Sequence, residues 1–397
     1  MSTLLSVEDA LARILEHAEV MSAELVPVAA ADGRVLRDDA YAAVDLPPFP
    51  SSAMDGFAVR AAETPGSLPI AYRVAAGSPP PGPLPDGTVA GIATGGVVPD
   101  GADSVVPVEL VTDHGDHITV EEATVFGKHI RPRGGDVRQG DTVVSAGTRI
   151  GASHVGALAA AGVPAVACAI RPRVAVLATG SELRAAGETL APGQIYESNG
   201  AMIAAVLTRA GAVVEMLPVA PDDEESHRAS LERGLSADVL VTSGGVSMGP
   251  HDLVRGTEAA LGVEEIFWGV AVKPGKPLSF GVRGATLVFG LPGNPVSSLV
   301  GVLVFVTPAL LARQGARDVG PAFEPGRAAV ALQRSVERDE FVRARRRSVD
   351  GGVLLEPVSG QESHMIARAA SADALLHVPR GEDAIGEGEP VRYLALD

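Results

Sequence analysis

The sequence predicts a multidomain α/β protein whose mostly parallel central sheet is accompanied by smaller β-rich domains. Apolar strand-like runs alternate with helical periodicity between residues 171 and 314, which is typical of β-α-β units joined by right-handed crossovers. Short strand-like runs separated by Gly/Pro turns fill residues 45–135 and 315–397 instead. At 397 residues the chain is long enough for about two to four domains.

The order of these patterns divides the chain. Residues 1–44 begin with a helix, and residues 136–170 contain a second, Ala-rich helix that we expect to pack back on them as one extended N-terminal domain. Residues 45–135 then form an inserted β domain. Residues 171–314 form the α/β domain, and 315–397 a small C-terminal β barrel or sandwich.

Individual elements follow from periodicity and capping. Ser6-Val7-Glu8-Asp9 has the pattern of a capping box and predicts the first helix. In the insertion we expect strands at Ile70–Val74, Thr88–Ile92, Ser104–Val108 and His117–Val120. In the α/β domain we expect strands at Val174–Ala178, Val213–Val219, Asp238–Thr242 and Thr286–Phe289, with helices at Gly200–Ala210, Asp222–Leu235 and Asn294–Leu311.

Composition limits the partners. The net charge of −17 argues against nonspecific binding to nucleic acid or to an anionic membrane, so an anionic substrate would need a local basic pocket. The single cysteine, Cys168, predicts a buried structural thiol and fits a reducing cytoplasm. The N-terminus does not have the pattern of a signal peptide. The apolar stretches Val155–Ile170 and Leu299–Ala312 contain proline and fall short of the roughly 20 clean residues of a membrane span.

Three polar, glycine-containing loops follow strands of the predicted sheet: Ala178–Leu183, Thr242–Asp252 and Gly290–Ser298. Each alone is an ordinary strand-to-helix turn, but the carboxyl ends of parallel strands share one edge and commonly bind ligands. Free backbone N–H groups there can bind phosphate. We also expect Asn294 to cap the helix that begins at Pro295. The candidate ligand-binding residues are Gly180, Ser181, Gly244, Gly245, Ser247, Pro292, Gly293, Asn294 and Pro295.

Carboxylates lie on two of these loops, at Glu182 and Asp252. Because a bare carboxylate repels phosphate, this pairing favours a hard divalent cation between them. Asp222 is a third candidate at the same edge, and helix capping explains it equally well.

Positive charge is available on the loop Lys273-Pro274-Gly275-Lys276-Pro277, whose prolines restrict the backbone. Arg343 is a further candidate cation. Two polar loops in the insertion carry Asp55 and Thr94, and each read alone is a turn. The sequence contains no zinc-type Cys/His cluster, no Walker A motif and no dinucleotide fingerprint.

Taken in order, these motifs closely resemble one family, the molybdopterin molybdenumtransferases, which includes the equivalent domain of gephyrin. The matching segments span nearly the whole chain. They are Ser52–Gly56, Thr94-Gly95, Thr179–Leu183, Ser243–Gly249, Lys273–Pro277, Leu291–Ser297 and Gly360–Met365. Each motif alone is weak, whereas the ordered set is specific.

The resemblance implies a four-domain chain and an elongated cytoplasmic homodimer. Its cleft would lie between the α/β domain of one subunit and the β insertion of the other, so that Asp55 and Thr94 would join Glu182 and Asp252. The implied reaction inserts molybdate into adenylylated molybdopterin and releases AMP. By resemblance, Mg²⁺ binds Glu182 and Asp252, the catalytic set also includes Asp222, and the groups holding molybdate are Lys273, Lys276, Arg343 and Ser363.

Other functions are also compatible with these motifs. A pterin adenylyltransferase shares the α/β domain but usually lacks the insertion and the terminal barrel, and a non-catalytic scaffold would not need the acid and lysine set. Gly269 stands where many family members have lysine, which leaves tungstate as an alternative oxyanion; Arg368 is a candidate for replacing that charge. The resemblance also points to the upstream adenylyltransferase and to molybdoenzyme maturation proteins as partners.

Overall fold

The computed structural model describes residues 4–75, 77–221, 223–245 and 253–396. Three predicted site residues, Asp222, Ser247 and Asp252, lie outside these residues.

The first part of the chain combines two helices with twelve short strands. Ser6 caps the first helix, because its Oγ accepts a hydrogen bond from the Asp9 N–H at 3.0 Å. The elements are α1 (Val7–Glu16), β1 (Ala23–Pro27), β2 (Ala40–Tyr41), β3 (Ser51–Ser52), β4 (Gly56–Val59), β5 (Gly66–Val74), β6 (Val89–Ile92), β7 (Ser104–Pro107), β8 (Val111–Asp113), β9 (His117–Val120), β10 (Ile130–Arg131), β11 (Thr142–Val144), α2 (Ala152–Ala160) and β12 (Ala165–Ala169).

After the β-rich segment the chain returns to its N-terminal residues. Strand β1 pairs antiparallel with β12, and β2 pairs with β11. Leu36, Ile150, Leu158 and Cys168 are buried together in the resulting core. Between the two halves, strands β4 to β9 form a six-stranded sheet in the order β7-β4-β6-β5-β9-β8. Cys168 is therefore buried, as the sequence predicts for a structural thiol. The limits of the domains remain a prediction.

The central part of the chain alternates strands and helices. Its elements are β13 (Arg173–Ala178), β14 (Leu183–Arg184), β15 (Ile195–Tyr196), α3 (Asn199–Arg209), β16 (Val213–Met216), α4 (Glu224–Gly234), β17 (Val239–Ser243), α5 (Leu253–Ala260), β18 (Glu264–Trp268), β19 (Val272–Lys273), β20 (Ser279–Arg283), β21 (Thr286–Leu291), α6 (Pro295–Gly301) and α7 (Thr307–Arg313).

The predicted mostly parallel sheet is confirmed. The strand order is β16-β13-β17-β21-β20-β18, and the first four strands run parallel. β20 and β18 add an antiparallel edge that the sequence had not predicted. Apolar side chains on one face, including Val241, Phe280 and Phe289, pack against helices α1, α3, α6 and α7. All strands that precede the three polar loops therefore end at the same edge.

The long helix predicted at Asn294–Leu311 is interrupted. A π-helical turn, Val302–Val306, separates α6 from α7. Pro308 lies in the first turn of α7, and a proline lacks the N–H that an uninterrupted helix needs there. By length and composition the span Pro295–Arg313 could cross a membrane, but 67% of its most apolar window is buried inside the protein, as in the core helix of a globular domain.

The C-terminal part forms the predicted barrel. Its elements are β22 (Phe323–Ala328), β23 (Asp339–Val349), β24 (Gly352–Pro357), α8 (Ile366–Ala369), β25 (Ala374–Val378) and β26 (Pro390–Ala395). The sheet order is β19-β23-β24-β22-β26-β25, and it closes because β23 also pairs with β25. β19 comes from the central part of the chain and pairs with β23, which ties the lysine-bearing loop to the barrel.

Candidate functional site

A cavity of about 770 Å³ opens at the carboxyl ends of β13, β17 and β21. This volume lies within the range of small-molecule and cofactor sites. Its lining comes from three sheet loops, from the segment before α3 and from the barrel loop that leads into α8. The lining residues are Ala178, Thr179, Gly180, Glu182, Leu183, Ile195, Tyr196, Glu197, Ser198, Asn199, Ser243, Gly244, Gly245, Pro277, Pro292, Gly293, Asn294, Pro295, His364 and Ile366.

Backbone hydrogen bonds join the three predicted loops directly. The Thr179 N–H donates to the Ser243 carbonyl at 3.1 Å, and the Gly244 N–H donates to the Leu291 carbonyl at 3.1 Å. The expectation that these loops meet at one sheet edge is therefore confirmed.

The loop after β17 requires glycine. Gly244 and Gly245 have φ values of +97° and +64°, a region that side-chain-bearing residues rarely adopt. A Cβ on Gly244 would also lie 2.8 Å from the Thr179 carbonyl oxygen. The backbone thus approaches its neighbour closely and presents a surface without side chains to the cavity.

Glu182 is the predicted metal ligand that the structure describes. It lines the cavity with Glu197, and its carboxylate folds over Gly180, where a Cβ would lie 2.6 Å from Oε2. Glu197 Oε1 accepts a hydrogen bond from the Gly200 N–H at 2.7 Å. Two carboxylates in one cavity suit a hard cation such as Mg²⁺. Within the described ranges no group of three or more His, Cys, Asp or Glu side chains clusters in a metal-binding arrangement.

The predicted helix cap needs correction. Asn294 occupies the N-cap position before Pro295, but its side chain makes no capping hydrogen bond. The next N–H, from Val296, donates to the Ser363 carbonyl at 3.0 Å. One first-turn donor is therefore used by the barrel loop, and Asn294 keeps its side chain beside the cavity.

The lysine loop lies beside the cavity wall. Pro277 lines the cavity, whereas Lys273 and Lys276 are not among its lining residues. Lys273 Nζ lies 3.1 Å from Glu340 Oε1 on β23, and its side chain is 55% exposed. Lys273 is therefore an exposed ion-pair member at the junction with the barrel.

Arg343 does not open onto the cavity. It is fully buried at 0% exposure, and its guanidinium donates to the carbonyls of Met365, Gly360 and Glu362 at 2.5, 2.6 and 3.1 Å. Burial lowers its pKa, and attraction to Glu362 partly opposes this. Arg343 thus holds the barrel loop that carries Ser363, and Ser363 in turn contacts the start of α6.

Asp55 and Thr94 form a pair in the β-rich insertion, away from the lining residues of this cavity. Asp55 Oδ1 accepts a hydrogen bond from the Thr94 N–H at 2.6 Å. That bond is the main cause of the lowered Asp55 pKa. The pair is therefore built as one ionised unit, separate from the cavity within a single chain.

Models of three protein families together match nearly the whole chain. The MoeA N-terminal region covers residues 5–162, a probable molybdopterin-binding domain covers 175–312, and the MoeA C-terminal region covers 325–396. A relative named molybdopterin molybdenumtransferase 2, from Mycobacterium tuberculosis, is 37% identical over 94% of both chains. This chain belongs to the molybdopterin molybdenumtransferase family.

Solved structures in the family share its architecture. A molybdopterin biosynthesis MoeA protein from Pyrococcus horikoshii is 27% identical, with a TM-score of 0.84 over 98% of this chain and 99% of the other. A further crystal structure of a MoeA protein from the same source is 31% identical, with a TM-score of 0.79 over 100% of both chains. The predicted multidomain fold is therefore that of this family, whose members act as transferases in molybdenum cofactor biosynthesis.

Gly269, where the family resemblance leads us to expect lysine, has a backbone suited to glycine. Gly269 has φ +88°, and a Cβ there would lie 2.8 Å from Leu4 Cδ2. A longer residue would therefore need the N-terminal segment to move. Arg368, the candidate substitute cation, donates from Nη1 to Ser359 Oγ at 2.8 Å on the barrel side.

Sequence reasoning missed several residues of the site. Tyr196, Asn199 and His364 line the cavity, and Gln361 brackets the Arg343 backbone through both amide atoms. Asn199 forms an Asn-Gly pair with Gly200, which is typical of a turn, so its position just before the predicted helix Gly200–Ala210 could have suggested it. His364 lay within the Gly360–Met365 motif and could have been singled out there.

Proposed function

We propose that this molybdenumtransferase inserts molybdate into adenylylated molybdopterin, with Mg²⁺-dependent release of AMP. The observation that supports the proposal is a cavity whose lining joins a carboxylate, Glu182, to the side-chain-free backbone at Gly180 and Gly244. Such a surface suits a phosphate-bearing ligand bound through an oxygen-liganded cation.

The proposed contacts follow the chemistry of each group. Backbone N–H groups at the glycine-bearing loops bind the pyrophosphate and pterin phosphate, and Pro292 to Pro295 shape the pterin side of the cavity. Lys273, Lys276 and Ser363 are the proposed binding groups for the oxyanion. The remaining proposed substrate-binding and catalytic residues are Gly180, Ser181, Gly244, Gly245, Ser247, Gly293, Asn294 and Asp222.

Glu182 and Asp252 are the proposed ligands of Mg²⁺. When bound, the ion neutralises pyrophosphate charge and polarises the phosphoanhydride. The protein's own part is to hold two anions close together, which favours cleavage by positioning and electrostatics. Water adds to the phosphoanhydride, so that its P–O–P bond breaks and AMP leaves. The two thiols of the cofactor dithiolene, rather than a protein thiol, replace an oxygen of molybdate as ligands of the metal, which releases water.

We further propose that the active enzyme is a homodimer. The Asp55–Thr94 pair is preformed but absent from the cavity lining of its own chain, so a partner subunit would supply it. A cytoplasmic location suits the single buried cysteine. The upstream adenylyltransferase and molybdoenzyme maturation proteins are the proposed macromolecular partners.

The direct test is conversion of adenylylated molybdopterin with molybdate and Mg²⁺, with AMP followed by chromatography. We expect AMP release that depends on both molybdate and Mg²⁺. Formation of the adenylate from ATP and molybdopterin, without molybdate-dependent AMP release, would instead identify an adenylyltransferase.

Tungstate is the alternative substrate. It is favoured by Gly269, because the family resemblance leads us to expect a lysine at that position. Competition between molybdate and tungstate in the AMP assay measures this preference. We expect molybdate to be used with the higher kcat/KM; the reverse order would assign the chain to tungsten.

A further inference from the structure

A closed set of hydrogen bonds lies beside the cavity floor. Asn199 Nδ2 donates to Ser243 Oγ at 2.9 Å and to the Gly293 carbonyl at 2.7 Å. Ser243 Oγ lies 3.4 Å from Ser298 Oγ, and Ser298 Oγ donates to the Pro292 carbonyl at 2.5 Å. The path thus begins and ends on the same Pro292-Gly293 loop and forms a ring.

The direction of every bond in this ring is fixed. The Pro292 and Gly293 carbonyls can only accept, and each serine hydroxyl has a single hydrogen. Because Ser298 gives its hydrogen to Pro292, Ser243 must donate to Ser298 and accept from Asn199. Both Asn199 amide hydrogens are then used, which also fixes the orientation of the amide.

This ring connects three loops of the site. Ser243 ends β17, Asn199 begins α3, and Ser298 lies on α6 behind the Pro292 loop. Ser243 and Ser298 are 3% and 0% exposed, so water does not compete for their hydroxyls. A network in which both hydroxyls and both amide hydrogens are paired holds its members in one arrangement.

One polar atom of the ring is left over. In the described part of the chain, Asn199 Oδ1 has no hydrogen-bond partner, although Asn199 lines the cavity and is only partly buried. An amide oxygen is an acceptor and nothing else. The group that matches it is an N–H donor on the ligand.

We infer that Asn199 is a positioning and specificity residue: it closes the ring that sets the three loops, and its Oδ1 accepts an N–H of the pterin ring. The identity of the ligand rests on the proposed function, whereas the ring does not. An acceptor that the bound ligand covers discriminates against ligands that lack the matching donor, because it would be left unpaired in the complex.

Hydrogen exchange of the Thr179 and Gly244 amides tests the ring without any turnover. The variants are Asn199→Ala, Ser298→Ala and their double. We expect both single variants to exchange about 10-fold faster or more, and the double to be no faster than the faster single, because all three break one ring. Exchange rates equal to those of the wild type, or effects of the two substitutions that add in the double variant, would overturn the ring.

Ser236→Ala is the matched control. Ser236 Oγ also donates to a carbonyl, that of Arg233 at 2.7 Å, but it precedes the amino end of β17. Its variant should leave both amides unchanged. If Asn199→Ala does not fold, Ser298→Ala alone decides the ring, since it removes one hydroxyl and leaves Asn199 in place.

Steady-state kinetics test the acceptor. Asn199→Ala should raise KM for adenylylated molybdopterin about 10- to 100-fold, with KM for molybdate unchanged and kcat within about threefold. Ser298→Ala leaves Asn199 Oδ1 in place and should raise the KM for adenylylated molybdopterin less than Asn199→Ala does. Equal increases in the two variants would overturn the acceptor role. Absence of AMP release by the wild-type enzyme would reject the proposed function, and the exchange experiment would still decide the ring.

Discussion

At the scale of single residues, the site is shaped by backbone conformation and by buried side chains that hold loops. Gly244 and Gly245 adopt left-handed conformations, and the Gly-Gly pair made this part of the site predictable from the sequence. Arg343 was expected to contact the oxyanion, but it is fully buried against backbone carbonyls. A run of arginines does not reveal which member points inward, because that depends on barrel register.

Replacing Arg343 by lysine should therefore loosen the barrel loop. Lysine keeps the charge, but its three N–H groups share one nitrogen and cannot reach the carbonyls that two separate guanidinium nitrogens reach. We expect the variant to lose about 2–4 kcal/mol of stability, since part of a buried charged network is left unpaired. Faster limited proteolysis within Gly360–Met365 should accompany a lower melting temperature.

Arg347→Lys is the control for this prediction, because Arg347 is an exposed residue of the same strand. It should melt and digest like the wild type. If Arg343→Lys matched the wild type in both measurements, Arg343 would not hold the loop.

At the scale of elements, periodicity predicted the four parallel strands and the helices α3 and α4 within a few residues. It missed β20 and β18, because they form an antiparallel edge with an irregular register between Glu265 and Phe267. It also missed α5, an eight-residue helix that contains Gly256 and so has little intrinsic helix propensity. Tertiary packing stabilises these elements more than local sequence does.

Helix α5 carries a buried acid that makes stability depend on pH. Burial raises the pKa of Glu258 to about 8; repulsion from Glu265 adds to this and Arg255 opposes it. In the unfolded chain the pKa of this carboxyl is near its ordinary value of 4.5. Between these values the native state binds the extra proton, so stability falls as pH rises.

Glu258→Gln keeps the shape and removes the titration. Relative to the wild type, we expect its urea midpoint to be similar at pH 5 and higher by about 0.5–1 M at pH 8. The single tryptophan, Trp268, lies under the Arg255 guanidinium at 5.3 Å and reports unfolding next to α5. Exposed Glu264→Gln is the control, and an equal midpoint difference at both pH values would reject the shifted pKa.

At the scale of the whole molecule, the order of motifs predicted the family, and the comparisons confirm it. The monomer does not bring Asp55 and Thr94 to the cavity that contains Glu182. No pattern within one chain can show which residues a second copy would bring near. The shared cleft therefore stays a proposal that an experiment must decide.

Mixed dimers provide that experiment. At low Mg²⁺, Asp55→Asn and Glu182→Gln should each be nearly inactive alone, yet a randomly reassorted mixture should recover about a quarter of the wild-type activity, because half the dimers then contain one intact cleft of two. Mixing Asp55→Asn with the double variant Asp55→Asn/Glu182→Gln should recover no activity, because no dimer then contains an intact cleft. No recovery in the first mixture would mean that each chain builds its own site.

We propose that Glu182 is a ligand of the Mg²⁺ on which AMP release depends. The most direct measurement is the rate of molybdate-dependent AMP release during a Mg²⁺ titration, for the wild type, Glu182→Gln and the control Glu188→Gln, an exposed acid on a neighbouring segment. We predict that Glu182→Gln slows release at least about 100-fold at low Mg²⁺ and recovers partly at high Mg²⁺, while the control follows the wild type. AMP release by Glu182→Gln at the wild-type rate and with the same Mg²⁺ dependence would contradict the account.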